Sequence, residues 1–169
     1  MNKQFTGRSW VFGDDVNTDV IFPGKYTYTI NDPAEMAEHA MEDADPEFAG
    51  KVQEGDIVVA GKNFGCGSSR EQAATCLKAA GVACVIAGSF ARIYFRNAIN
   101  LGLPIVACPE IVGRVKPGEK VSIDLGAGTL EHAGVSYSFA PLPAEVFKIL
   151  ESGGLVEYVK DRLQREAVS

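Results

Sequence analysis

Gly61-Lys62-Asn63-Phe64-Gly65-Cys66-Gly67-Ser68-Ser69-Arg70-Glu71-Gln72 joins a strand to a helix. Before it, Asp56-Ile57-Val58-Val59-Ala60 is short, apolar and β-branched, which reads as a buried strand. After it, Ala73, Leu77 and Ala80 recur at helical spacing. Ser68 and Glu71 have the spacing of a capping box at the start of that helix. Glycines let the backbone turn sharply and let a ligand approach. Amides at a helix start favour an anion, and Arg70 adds a planar fork matched to a carboxylate or phosphate. The loop is neither a Walker loop nor a Rossmann fingerprint. Lys62 precedes it rather than following its last glycine, and Gly65 and Gly67 lack a third glycine three residues on. A well-capped turn and an anion site are both open on this stretch taken by itself.

Outward from the loop the pattern is α/β. Val82 to Ala87 is a continuous apolar strand of the kind buried on both faces. Ser89 is placed to cap a helix running from Phe90 to Leu101, and Gly102 to end it; Leu103 to Ala107 is the next buried strand. Strand, helix, strand, helix, strand from 56 to 107 implies parallel pairing with right-handed crossovers. Upstream, Ser9 to Phe12 reads as a strand. The polar turn Gly13 to Asp19 follows, with three aspartates but without the glycine and distal glutamate of a calcium loop. Val20 to Gly24 is a short apolar stretch ended by a turn. Lys25-Tyr26-Thr27-Tyr28-Thr29-Ile30-Asn31 reads either as an alternating strand or as a loop facing a ligand. Asp32 to Glu47 holds an acidic helical stretch containing Met36, Ala37, Ala40 and Met41. The last third alternates with period two over Glu119 to Leu125 and turns at Gly126 to Gly128. It then gives short strands near Thr129 to Glu131 and Val135 to Phe139, a small antiparallel layer. A helix entered at Pro143 and ended by Gly153-Gly154, then an amphipathic helix from Leu155 to Arg165, close the chain. Without linker or repeat, residues 1–169 read as one domain.

The 169 residues carry a net charge of −6, which argues against an electrostatic nucleic-acid binder. No apolar run approaches the roughly eighteen residues of a membrane helix. Met1 to Phe5 has no apolar signal core, so the expectation is a cytoplasmic protein without membrane or nucleic-acid partners. Cys66, Cys76, Cys84 and Cys108 fit no metal-ligand spacing. The last three read as small buried residues. Cys66 lies in the glycine loop ahead of a helix, a setting that leaves a reactive thiol open, but His39 and His132 lie far away in sequence.

The ordered set of Gly13 to Asp19 with its Asn17-Thr18-Asp19, the Gly61 to Glu71 loop, Phe90 to Ala98, and Gly153-Gly154-Leu155 resembles the small subunits of isopropylmalate isomerase in the aconitase superfamily. The resemblance covers nearly the whole chain. It implies a swivelling β/β/α three-layer domain, with a mixed sheet whose core strands are parallel. It implies pairing with a large subunit that carries a [4Fe–4S] cluster on three cysteines, so that this chain binds no metal itself. Self-association of the free subunit is also within its scope. By the same match Ser68 is the alkoxide-like base. Ser69 and Arg70 hold substrate carboxylates, Tyr28 and Lys25 lie in the loop that meets the substrate's variable group, and Asp19, Gly65, Cys66 and Gly67 support the site. The expected reaction is dehydration and rehydration of a 2-hydroxy-diacid, with isopropylmalate in leucine biosynthesis retained as substrate. The loop departs from both patterns of the family. It lacks the arginine of homoaconitase-type members, and Tyr28, Thr27 and Thr29 are more polar than an isopropyl pocket requires. Dimethylmalate, citramalate and homoaconitate types, and a non-catalytic anion-binding module, remain as alternatives.

Overall fold

A computed structural model describes residues 3–169. Met1 and Asn2, at the head of the segment read as lacking a signal core, lie outside the described residues. In chain order the elements are β1 (Gln4–Val11), α1 (Thr18–Ile21), α2 (Pro33–Ala37), α3 (Phe48–Lys51), β2 (Ile57–Ala60), α4 (Gln72–Ala79), β3 (Cys84–Ala87), α5 (Arg92–Asn100), β4 (Ile105–Ala107), β5 (Lys120–Asp124), β6 (Thr129–His132), β7 (Val135–Ser138), α6 (Ala144–Glu151) and α7 (Leu155–Val168). Among the described residues the strands form one mixed sheet of order β4-β3-β2-β1-β5-β6-β7. β1 to β4 are parallel neighbours, while β5, β6 and β7 add antiparallel on the other side of β1.

The alternation of side chains along the parallel strands explains the layers. Val58, Ala60, Val85 and Ala87 point into one apolar cluster with Leu77, Tyr94, Ala98 and Phe64, the helix side. Their neighbours Ile57, Val59, Cys84 and Ile86 point the other way. There they meet Val121, Ile123, Leu130 and Phe139 of the antiparallel half. The sheet therefore curls so that its antiparallel part packs on its parallel part, giving β on β on α. Continuous apolar strands are required here because both faces are covered. Among the described residues no helix is long and apolar enough to cross a membrane.

Three helix ends are set by glycine. At α5, Gly102 (φ +78°) donates to Ile99 and Leu103 N–H to Ala98, the paired bonds of a Schellman ending. Gly81 with Val82, and Gly153 with Gly154, close α4 and α6 in the same way.

Several expectations are corrected. α2 ends at Ala37 rather than running to Met41. Met41 sits at φ +57° and its N–H donates to Ile21 O at 2.8 Å, so a tertiary bond breaks the helical run. Of the two readings left open for Lys25 to Asn31, the strand is excluded: the stretch is a 3₁₀ turn over Gly24–Tyr26 followed by further turns. Part of the Val20 to Phe22 run is helical, within α1. Ser89 does not cap α5. The residue before that helix is Ala91, and Ser89 Oγ instead accepts from Asn63 N–H at 2.8 Å. Pro143 precedes α6 rather than occupying its first turn. α7 runs beyond Arg165, to Val168.

Candidate active site

β1, β2 and β3 are parallel, so the loops that leave their carboxyl ends lie side by side. The loop after β2 is held between the other two. On one side Gly61 N–H donates to Gly13 O, Gly65 N–H to Val16 O and Thr18 N–H to Cys66 O. On the other, Phe64 N–H donates to Ser89 O and Ala91 N–H to Phe64 O. Asp14 Oδ1 accepts from Lys62 N–H at 2.7 Å and Asp15 Oδ1 from the Asn63 amide at 3.0 Å. The acids of the Gly13 to Asp19 turn thus bond across to this loop rather than to amides of their own turn.

Two glycines are dictated by this packing. Gly65 has φ +81° and a side chain there would overlap the Tyr94 ring. Gly67 has φ +102°, and its Cβ would lie 2.7 Å from the Asn17 side-chain amide.

The loop delivers Ser68, Ser69 and Arg70 to an exposed edge. The capping box is not formed: α4 begins at Gln72, and Glu71 precedes it without a side-chain cap. The reason is that the Ser68 hydroxyl is engaged elsewhere. Ser68 Oγ lies 3.0 Å from Thr18 Oγ1 and accepts from Arg70 Nε–H at 2.9 Å, while Ser68 N–H donates to Thr18 Oγ1 at 3.0 Å. Ser69 is exposed, and its carbonyl accepts from the Asn97 amide of α5 at 3.0 Å.

Arg70 is wrapped by its own chain, its side chain 15% exposed. Besides Ser68, Nη1 donates to Thr27 Oγ1 at 2.7 Å, and Nη2 donates to Asp19 and, at 3.2 Å, to Phe22 O. A guanidinium has five N–H donors. One at Nε, one at Nη1 and two at Nη2 are taken, which leaves one on Nη1. The fork expected to face a carboxylate is largely spent on positioning. Asp19, placed as a support from sequence, is the ion-pair partner of Arg70.

The turn after α1 divides its residues. Thr27 reaches Arg70, and its carbonyl accepts from Gln72 Nε2 at 3.0 Å. Tyr28 is 94% exposed. Lys25 turns away to Glu42, 3.6 Å, and over the Tyr26 ring. Cys66 is half-buried; His39 pairs with Glu42 and His132 with Glu119, so neither serves it as a base. Burial pushes the Cys76 and Cys84 thiols far up, leaving them inert. Among the described residues no group of three or more His, Cys, Asp or Glu is arranged to hold a metal ion. The cysteines of this chain therefore do not fit an iron–sulfur cluster. Arg92 and Arg96 are exposed and form no ion pair among the described residues. Thr18, Thr27, Gln72 and Asn97 are the site residues that local sequence reading did not single out. The signal for three of them was present, since Thr18 and Asn97 lie in stretches that carry the family resemblance and Thr27 lies in the loop assigned by it to the substrate's variable group.

A curled α/β domain that presents a Gly-Ser-Ser-Arg loop at the ends of its parallel strands has the character of an aconitase C-terminal domain. The family model so described matches residues 15–110. A 3-isopropylmalate dehydratase small subunit of Methanopyrus kandleri is 54% identical over 162 residues, covering 95% of each chain. One of Heliobacterium modesticaldum is also 54% identical, over 95% of this chain and 97% of its own. A solved structure of 3-isopropylmalate dehydratase from Methanocaldococcus jannaschii superposes with a TM-score of 0.91 at 44% identity, covering 97% of this chain and 98% of that one. The chain belongs to the 3-isopropylmalate dehydratase small-subunit family.

Proposed function

We propose that this chain, acting as one domain over residues 1–169, is the small subunit of a 3-isopropylmalate dehydratase of leucine biosynthesis, located in the cytoplasm and completed by a large subunit. The observation that carries the reading is the Ser68 hydroxyl, held between Thr18 and Arg70 in a chain that matches dehydratase small subunits along nearly its full length. The reaction removes water from a 2-hydroxy-diacid and adds it back at the neighbouring carbon. Ser68 Oγ, as the oxyanion, takes the proton from the carbon beside a carboxylate, that C–H electron pair forms the double bond, and the C–O pair departs with hydroxide, which the large subunit's Lewis acid would accept. In rehydration Ser68 returns the proton.

A serine hydroxyl is a poor base in water and becomes useful only where fixed donors stabilise its oxyanion. Arg70 Nε–H is such a donor, already aimed at Ser68 Oγ. The exposed Ser69 hydroxyl and the remaining Nη1–H of Arg70 are the groups left to meet substrate carboxylates. Tyr28 is almost fully exposed, which leaves it free to contact the variable group of the diacid. Lys25 stays with Glu42 and contributes by holding the turn. The [4Fe–4S] cluster belongs to the large subunit in this reading and supplies Lewis acidity there. With net charge −6 the chain does not steer an anion from a distance, so the local Arg70 field must serve.

The test is anaerobic turnover of the reconstituted complex with isopropylmalate, citramalate, 2,3-dimethylmalate and homocitrate, for wild type and Ser68→Ala. Isopropylmalate is expected to turn over with wild type and not with Ser68→Ala, although the variant assembles. Turnover confined to another diacid would reassign the substrate. Silence across the panel, with intact cluster and complex, would favour a non-catalytic anion-binding module.

A further inference from the structure

We propose that Thr18 is a positioning residue for Ser68: its buried hydroxyl fixes the Ser68 side chain and donates to Ser68 Oγ when that oxygen is charged. The inference rests on the reading of Ser68 as the base. Thr18 is 1% exposed and is the first residue of α1. A threonine there has two ordinary uses, capping the helix and joining the loops, and other groups supply both without its hydroxyl proton. Helix capping is done by Asn17, whose Oδ1 accepts from Asp19 N–H at 2.8 Å. Joining the two loops is done by the backbone, through Thr18 N–H on Cys66 O and Gly65 N–H on Val16 O. The hydroxyl is left with two bonds, and both go to Ser68.

Their directions follow from the donor inventory. Ser68 N–H donates to Thr18 Oγ1 and so occupies a lone pair of that oxygen. The Thr18 proton remains free to point elsewhere, and Ser68 Oγ lies 3.0 Å away. With Ser68 neutral, either hydroxyl can donate. With Ser68 deprotonated only Thr18 can, and the oxyanion then receives two donors, Thr18 Oγ–H and Arg70 Nε–H. Both are in place before the proton moves, which is the condition under which fixed donors stabilise developing charge. The buried hydroxyl has no bulk water to turn toward, so the alignment is maintained.

The experiment compares Thr18→Val, Thr18→Ser and Ser68→Ala in the reconstituted complex. It measures assembly, kcat, KM and the pH dependence of kcat. Thr18→Val is expected to assemble, to keep KM, and to lose about a hundredfold in kcat, the scale of one oxyanion donor. The limb of its pH profile that reports Ser68 ionisation should move to higher pH. Thr18→Ser, which keeps the hydroxyl, should restore both. A threonine that only packs would not shift the pH profile, and Thr18→Ser would not repair it. Native kcat and pH profile for assembled Thr18→Val, with Ser68→Ala dead, would overturn the role of Thr18 and leave Ser68 as base. Activity in Ser68→Ala would overturn the base and the inference with it. Should Thr18→Val fail to assemble, Thr18→Cys carries the test, because a thiol packs as a small apolar group and donates weakly. A lower kcat at unchanged KM then supports the proposal and native kcat overturns it.

Discussion

Arg70 shows how much one side chain organises. It contacts Ser68, Thr27, Asp19 and the Phe22 carbonyl, which belong to three separate parts of the chain. A lysine carries the same charge on a single rotatable ammonium and cannot reproduce the Nε–H aimed at Ser68 while holding the turn at Thr27. Arg70→Lys is therefore expected to lower kcat in the complex by about 10²–10³-fold. The folded subunit should keep its circular dichroism. Native turnover would show that the guanidinium geometry is not needed. At this scale the sequence displayed the proposed active groups but not their partners. Ser68 and Glu71 match a capping box by spacing, yet Ser68 is claimed by Thr18, fifty residues away in sequence. Local spacing carries no information about such a competitor. The same holds one turn earlier. Tyr28 and Thr27 are adjacent in a loop that plainly faces outward, and only the phase of the 3₁₀ turn decides that Thr27 goes in.

The parallel strands and the helices between them were legible because both faces of those strands are buried, which forces continuous apolar runs, and because glycines stop the helices. Elements failed where a tertiary bond overrode a local pattern. Met41 leaves the helical path to reach Ile21, and Ser89 gives its oxygen to Asn63 instead of to α5. α7 is the opposite case, a helix whose ion pairs are its own. Every residue in it is exposed except the half-buried Tyr158, and its pairs Glu157 with Lys160 and Arg162 with Glu166 are internal. Its ties to the rest are Tyr158 Oη donating to Glu145 at 3.1 Å and packing against α5 and α6. Ending the chain after Gly154 keeps the carbonyl of Gly153 that receives Lys78 Nζ. That truncation is expected to lower Tm by only a few degrees, since about 1 kcal/mol corresponds to that shift at this size. Differential scanning calorimetry checks it. Loss of the cooperative transition would show that α7 supports the core.

For the molecule as a whole, β1 is the seam, pairing with the parallel half through β2 and with the antiparallel half through β5. Carboxylates sit on both sides of that seam. Burial pushes the Asp56 carboxyl up, but Arg8 Nη2, Trp10 Nε1 and Gln53 N–H all donate to it, and together they hold it below its ordinary value. Asp124 is lowered by the Ala127 N–H and by Gln4 of β1, and Glu119 by the Lys116 N–H and His132. Glu42 is lowered by His39, and Glu145 by Lys148. Each depressed carboxylate adds stability that is fully present above its unfolded pKa and is lost as pH falls through its folded pKa. Lys25, raised by Tyr26, and Lys148, raised by Glu145, act oppositely. Their contribution is present below the ordinary lysine value and lost only as pH rises through the folded values. Stability against urea should therefore be flat between neutrality and mild acid, and fall below about pH 4, where unfolded carboxylates begin to bind protons. Asp56 should account for most of the slope, because the other lowered groups are more exposed and more screened. Asp56→Asn is then expected to lower the midpoint at pH 7 and to flatten the acid limb. Trp10, the one tryptophan of the chain, donates to Asp56, so its fluorescence reports the parallel half directly. Far-UV circular dichroism reports both halves. Coincident midpoints by the two probes across pH 3 to 8 are expected if the seam opens as one unit. A midpoint that rises on acidification would contradict the linkage, and a fluorescence transition well separated from the dichroism would mean that the halves part independently.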